Sequence, residues 1–109
     1  MFPRWMLLAL IPAVGTLPPA DVTVSYRIFQ VTPDTVRVPV GTTVRWTNGD
    51  QVEHTVTGGT PERRTAGWNA SLATAGTSTR RRFERAGTYT YFCDRHQFMR
   101  GTVVVTTTR

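Results

Sequence analysis

The sequence of 109 residues contains one cysteine, two histidines and no lysine. A single cysteine cannot form an internal disulfide, so a fold held together by disulfides is excluded. All thirteen basic residues are arginine, and against seven acidic residues they give a formal net charge of +6. This excess favours an acidic partner or surface, but it does not identify a chemistry.

No apolar run reaches the roughly twenty residues that a membrane-spanning helix needs. A short basic start precedes the apolar segment Trp5 to Val14, which has the length of a signal-peptide core. We predict a signal peptide over residues 1–20, cleaved after Gly15 or Ala20, with an uncleaved N-terminal anchor as the alternative. Residues 21–109 then form one exported domain, periplasmic or extracytoplasmic, where an unpaired thiol must be buried or metal-bound.

Alternation of apolar and polar residues recurs after the N-terminal segment and predicts strands with one buried face. The predicted strands cover residues 22–28, 35–46 with a turn at Gly41, 52–57, 77–84, 88–93 and 101–107. Short strands joined by Gly and Pro turns, with no convincing helix, predict an antiparallel Greek-key β-sandwich or barrel of about seven or eight strands.

Some segments depart from this alternation. Pro39 cannot donate to a ladder, so it is expected on an edge or at a bend. Residues 58–76 lack the pattern and have only Trp68 and Leu72 as apolar anchors, which predicts a long connection. Arg81 falls on the buried side of its strand and is expected near an open end of the sandwich, with its stem on apolar surface.

Three metal donors stand within seven residues in the order Cys-x2-His-x2-Met: Cys93, His96 and Met99. Thiolate and thioether favour Cu(I), and imidazole suits several metals including copper, so the set fits copper better than zinc, calcium or magnesium. A trigonal site of one Cys and two His with a weak axial Met needs a second histidine. The sequence has one more, His54. We therefore predict a single copper ion bound by these four residues.

Each donor also has an ordinary interpretation. Cys93 alone would be a buried core thiol, each histidine a surface or satisfied core residue, and Met99 a core filler. A metal-free sandwich of the adhesion type would make the four donors a coincidence. It is the spacing of the set that favours ligation.

Three segments surround the donors: Val44 to Val56 around the first histidine, Ala86 to Cys93 before the thiolate, and Cys93 to Val105 after it. Together they resemble the small blue (type 1) copper proteins of the plastocyanin and amicyanin type, the cupredoxins, over roughly residues 22–105. The spacing of two residues between His96 and Met99 is similar to amicyanin, whereas plastocyanins have a longer loop.

That resemblance implies a role for each matching residue. His54, Cys93 and His96 would be the equatorial ligands, and Met99 would be the long axial ligand. Asn48 would connect the two ligand-bearing segments, and the backbone N–H of Thr55 would point at the Cys93 sulfur. His54 would be buried, while His96 would lie nearer solvent.

The ligand loop also departs from the family pattern. Asp94, Arg95 and Gln97 replace the Pro, Thr or Ser that is frequent there, and Thr55 replaces a frequent Asn. These residues leave the ligands unchanged but affect the reduction potential and the partner surface, since hydrogen bonds around the ligands tune both.

The resemblance implies a mobile single-electron carrier and not an enzyme, because no coordination position is left open for a substrate. Its partners would be redox proteins, with an acidic surface favoured by the net charge, and the folded domain would be a monomer that neither binds nucleic acid nor inserts into a membrane. The alternative is a module for copper storage, sensing or delivery. Multicopper oxidase or nitrite reductase chemistry needs more histidines than the chain has.

In a single-electron carrier, His96 would be the electron port. Phe98 and Gln97 would form its rim, and Arg95 and Arg100 would surround it. The other arginine cluster, residues 80–82 with 63 and 64, is either a solvated face or a docking patch for an acidic partner.

Overall fold

The computed structural model describes residues 21–107. Within them the chain forms nine strands and no helix. The strands are β1 (Asp21–Arg27), β2 (Gln30–Thr32), β3 (Thr35–Pro39), β4 (Thr42–Asn48), β5 (His54–Thr60), β6 (Arg63–Leu72), β7 (Ser78–Phe83), β8 (Gly87–Phe92) and β9 (Arg100–Thr106). The predicted leader, residues 1–20, lies outside the described part and remains a prediction. No helix long and apolar enough to cross a membrane occurs among residues 21–107.

The strands form two sheets, as the alternation predicted. One has the order β2-β1-β4-β7 and the other the order β3-β9-β8-β5-β6. Each sheet also contains one parallel pair, β1 with β4 and β3 with β9, so the pairing is not antiparallel throughout. The parallel pair β1/β4 arises because β3 lies in the other sheet, and the chain returns with β4 beside β1.

The core fills the space between the sheets. In most strands, such as β3, β4 and β9, alternate residues point inward, as the period of two requires. The buried apolar side chains are Val24, Tyr26, Val36, Val38, Val44, Trp46, Val56, Trp68, Leu72, Phe83, Tyr91, Phe92, Cys93, Met99, Val103 and Val105. Burying a large apolar side chain contributes about 1.5–3 kcal/mol, so this layer is the main source of the stability of the sandwich.

The end of the first strand differs from the prediction. The alternation places Ile28 on the buried face, but β1 ends at Arg27 and Ile28 is 72% exposed. Ile28 and Phe29 both have positive φ, at 52° and 58°, and they turn the chain into β2. A strand of three residues after such a turn leaves no periodic signal in the sequence, so β2 was not predicted.

The connection predicted over residues 58–76 is wrong for most of its length, because it contains the ten-residue strand β6. β6 is one of the two edge strands of its sheet, and it buries the two predicted anchors Trp68 and Leu72 while most of its other residues face solvent. An edge strand with so few inward apolar residues has the composition of a loop.

Pro39 and Arg81 both lie on edge strands. Pro39 ends the edge strand β3, as expected. Arg81 lies half-buried on the edge strand β7, with its guanidinium carbon 4.6 Å from the Trp68 ring. Arg81 lies opposite Val44, inside both β4 and β7, so it is at the side of the sandwich and not near an open end as expected. Its charge there lies against an aromatic face, which can hold a cation away from the open end.

Candidate metal centre

The four predicted donors are brought to one end of the sandwich by the strand order. His54 is the first residue of β5, and Cys93 follows the last residue of β8. These strands pair antiparallel, with Thr57 opposite Phe92, so the start of one lies beside the end of the other. The loop from Cys93 to Met99 then returns the chain to β9.

The loop is closed by its own backbone. The N–H of Cys93 donates to the carbonyl oxygen of Met99 at 2.9 Å, and the N–H of Met99 donates to that of His96 at 2.9 Å. These bonds fold the loop into a compact turn with Met99 only 2% exposed. Three of the four donors thus come from a single rigid turn.

The donor atoms converge. The Cys93 sulfur lies 3.6 Å from Nδ1 of His54 and 3.9 Å from Nδ1 of His96, and the two Nδ1 atoms are 3.2 Å apart. One donor atom from each of these residues lies within 4.8 Å of the others. Three ligands bonded to one ion at about 2.0–2.3 Å in a trigonal plane would be separated by about 3.5–4 Å. The spacing fits a single small ion.

Burial divides the donors as predicted. His54 and Cys93 are fully buried, whereas His96 is half-buried. A thiol and two imidazoles are soft and intermediate ligands, and together with the thioether of Met99 they form the set that favours copper. The donor set therefore suits copper in both chemistry and spacing.

Thr55 connects the two segments that carry the donors. Its backbone N–H points at the Cys93 sulfur at 3.4 Å, as predicted, and its side-chain oxygen accepts a hydrogen bond from the N–H of Asp94 at 2.7 Å. The same hydroxyl lies 2.9 Å from that of Thr57, which donates to Asn69. A short polar chain thus joins the ligand loop to β5 and β6.

Asn48 does not have the role that the resemblance implies. Its amide nitrogen donates to the carbonyl oxygens of Val52 and Leu72, at 2.8 and 2.9 Å, and its oxygen accepts from the N–H of Asp50. These bonds hold the segment before His54 against the end of β6, and none reaches the loop of Cys93. The connection expected from Asn48 is made by Thr55, the residue that replaces the family's Asn after the first histidine.

Asp50 was missed in the sequence. One of its carboxylate oxygens lies 2.8 Å from Nε2 of His54, and the carboxylate also accepts the N–H groups of Ile28 and Phe29. Burial acts to raise the pKa of Asp50, but the hydrogen bonds from His54, Phe29 and Ile28 outweigh it and lower that pKa below its usual value. No sequence signal distinguishes Asp50 from any other turn aspartate.

Two aromatic rings against the imidazoles were also missed. Tyr26 packs edge-on against His54 with ring centroids 5.6 Å apart, and Phe29 packs against both His54 and His96. Burial, with smaller contributions from Tyr91 and Cys93, raises the pKa of Tyr26, so its hydroxyl stays neutral. An apolar, uncharged wall therefore lies beside the donors.

Ion pairs hold the outside of the ligand loop. Arg64 pairs with Asp94 at 2.8 Å, and Arg95 pairs with Glu53, the residue before His54. The hydrogen bond from Arg64 lowers the pKa of Asp94, and those from Ser71 and Arg95 lower that of Glu53. Both acids therefore stay ionised and bind the loop to β5 and β6.

The predicted rim is exposed. Phe98 is 71% exposed with its ring 6.3 Å from that of His96, and Gln97 is also on the surface. Arg100 donates through Nε to the carbonyl oxygen of Gln97 at 2.9 Å. Beside this rim is an open cleft of about 330 Å³ lined by Phe29, Gln30, Val31, Asp34, Phe98, Met99 and Arg100.

A two-sheet β-sandwich with a Cys, two His and a Met at one end defines a type 1 copper protein. The family model of copper binding proteins, plastocyanin/azurin family, matches residues 20–106. The chain belongs to that family, as its motifs indicated, and its cofactor is a single type 1 copper ion.

Individual relatives agree with the family. Amicyanin from Paracoccus versutus is 32% identical over 96 residues, which cover 86% of this chain and 72% of the relative. The crystal structure of amicyanin from that organism superposes with a TM-score of 0.67 at 31% identity, covering 90% of this chain and 87% of the other. A purple cupredoxin from Nitrosopumilus maritimus superposes with a TM-score of 0.70 at 28% identity, covering 79% of this chain and all of the other.

Proposed function

We propose that the protein is an exported carrier of single electrons whose copper is bound by Nδ1 of His54, Sγ of Cys93, Nδ1 of His96 and the thioether of Met99. The observation that supports this most is the convergence of the first three donor atoms within 4.8 Å at a mostly buried end of the sandwich. Copper supplies a one-electron couple when bound, between Cu(II) and Cu(I).

The surrounding structure suits repeated electron transfer because it restricts ligand movement. His54 begins a strand, Cys93 accepts the N–H of Thr55, and the ligand loop is closed by two backbone hydrogen bonds. Ligands fixed in this way rearrange little when the charge of the site changes. A full set of four donors also leaves no position for a substrate, which favours a carrier over an enzyme.

His96 is the proposed electron port. It is the half-buried imidazole of the pair, and the exposed Phe98 lies next to it. The arginines 95 and 100 flank this surface, so an acidic redox partner is favoured, and a small interface suits brief encounters. The predicted signal peptide over residues 1–20 would deliver the domain to the periplasm or another extracytoplasmic space.

The experiment is copper titration followed by absorption spectroscopy and voltammetry. The loaded protein should show an intense thiolate-to-Cu(II) charge-transfer band, and Cys93→Ser and His96→Ala should remove it. Gln97→Ala changes an exposed loop residue outside the four predicted ligands, so it is the matched control and should retain the band. A colourless copper complex of the wild type would contradict the ligand assignment.

Voltammetry then separates a carrier from a copper store or delivery module. Repeated reversible cycling, with copper retained in both states against a chelator, supports the carrier. Loss of copper on each reduction would instead favour copper delivery, the alternative function.

A further inference from the structure

The turn between β1 and β2 is strained and lies at the metal centre. Its two central residues, Ile28 and Phe29, both have left-handed backbone conformations, with φ of 52° and 58°. Such turns normally use Asn, Asp or Gly, because a branched or bulky side chain is unfavourable at positive φ. Ile28 is 72% exposed, so burial of its side chain does not offset the strain. A strained backbone retained without core packing points to a local role.

One carboxylate holds this turn and a metal-site histidine together. Asp50 accepts the N–H of Ile28 at 2.7 Å through one oxygen, and the N–H of Phe29 at 3.1 Å through the other. That second oxygen also lies 2.8 Å from Nε2 of His54. Since an ionised carboxylate can only accept hydrogen bonds, Nε2 of His54 is the donor to Asp50, and Nδ1 is left facing the sulfur of Cys93. The bond fixes the tautomer that leaves Nδ1 free.

The turn places a phenyl ring across both imidazoles. The centroid of Phe29 lies 4.9 Å from that of His96 and 5.5 Å from that of His54, with interplanar angles of 83° and 88°. These are edge-to-face contacts within the favourable range for aromatic rings. His54 begins β5, whereas His96 lies on the ligand loop outside any strand. The Phe29 contact therefore matters more for the ring position of His96 than for that of His54.

We propose that Asp50 and Phe29 are positioning residues of the metal centre: Asp50 fixes the tautomer and ring of His54 and holds the strained turn, and through that turn Phe29 holds the ring of His96. This proposal rests on the ligands of the proposed function. It assigns the strained turn to preorganisation of the donors.

The first test compares two variants of the same turn. Phe29→Ala and Ile28→Ala each remove an exposed apolar side chain at positive φ, but the edge-to-face contacts with the imidazoles belong to the Phe29 ring. The rate at which the reduced, loaded protein releases Cu(I) to bicinchoninate should rise about tenfold in Phe29→Ala, the effect of losing two ring contacts. Ile28→Ala should release copper within about twofold of wild type.

The second test uses copper-free protein and NMR of the imidazole rings. In wild type the Nε2 proton of His54 should exchange slowly with solvent, because that ring is fully buried and bonded to Asp50. Asp50→Asn should speed this exchange at least about tenfold. Phe29→Ala should move the ring-proton shifts of His96 toward those of a free histidine, and Ile28→Ala should leave them unchanged.

Equal Cu(I) release from the two turn variants, together with unchanged His96 shifts, would overturn the role of Phe29. Exchange of the His54 proton at the wild-type rate in Asp50→Asn would overturn that of Asp50. Failure of the wild type to bind copper would refute the ligand assignment alone, since the copper-free measurements still decide whether the turn holds the two rings.

Discussion

The side-chain oxygen of Thr55 accepts the backbone N–H of Asp94 at 2.7 Å, so the residue after one predicted ligand is bonded to the residue after another. The backbone N–H of Thr55 points at the sulfur of Cys93 as well. A single residue therefore supports both the sulfur and the loop that follows it. Thr55 thereby holds the start of β5, with His54, against the ligand loop, with Cys93.

Thr55→Val tests that relationship. Valine keeps the shape of threonine but leaves the N–H of Asp94 without its acceptor in a partly buried place. The free energy of unfolding of the copper-free protein should fall by about 1–3 kcal/mol, measured by chemical denaturation. Thr55→Ser retains the oxygen and should lose less. Equal losses in the two variants would show that the hydroxyl bond is not what holds the loop.

The donors could be predicted because they are a local pattern. Three of them stand at fixed spacing in one loop, and the fourth is the one histidine left in a sequence with two. The sandwich fold could also be predicted from the alternation of apolar and polar residues, since one face of most strands is buried. These are the features for which residue type and spacing alone decide the outcome.

The surroundings of the donors could not be predicted in the same way. Asp50 bonds to His54 and also to two N–H groups of a turn that begins 22 residues earlier, so its role depends on a distant contact. The two residues of that turn with positive φ are Ile28 and Phe29. A turn of this kind is usually predicted from Gly or Asn at these positions, and neither is present. The edge strand β6 was missed for a related reason, because Trp68 and Leu72 are its buried residues and the rest face solvent.

Met99→Leu should keep the charge-transfer band and raise the reduction potential. The band arises from the thiolate, whereas the thioether is a weak axial ligand that tunes the potential. Leucine has nearly the volume of methionine, so the buried position should remain filled. Voltammetry of the loaded variant measures the shift. Complete loss of copper binding would show instead that Met99 is needed to assemble the site.

Arginine substitutions near the rim should affect electron transfer unequally. Arg95 is paired with the carboxylate of Glu53, whereas Arg100 donates through Nε to a backbone carbonyl oxygen of Gln97. The charge of Arg100 is therefore less neutralised. With ferricyanide as an anionic oxidant, Arg100→Gln should slow oxidation of the reduced protein more than Arg95→Gln does, most of all at low salt.

Stopped-flow absorbance of the charge-transfer band measures these rates. Arg37→Gln changes an exposed arginine on β3, outside the ligand loop and outside the other arginine cluster, and is the control. Rates that depend on neither Arg95 nor Arg100 at low ionic strength would discard the basic rim as a docking surface.

The ion pair between Arg64 and Asp94 predicts an acid-dependent contribution to stability. Its hydrogen bond lowers the pKa of Asp94 in the folded protein, below the value of about 4 expected for an unfolded chain. The contribution is therefore present above about pH 4 and is lost as the pH falls through the lowered pKa. Denaturation of copper-free wild type and Arg64→Gln across pH 7 to about 3 should give a stability difference that shrinks with acid.

Both side chains of the Arg64–Asp94 pair are partly exposed, so the difference should be small and should also shrink in high salt. Arg63→Gln removes the neighbouring charge and should give a difference from wild type that changes less with pH. A difference for Arg64→Gln that stays constant over the whole pH range would mean that the pair does not hold the ligand loop.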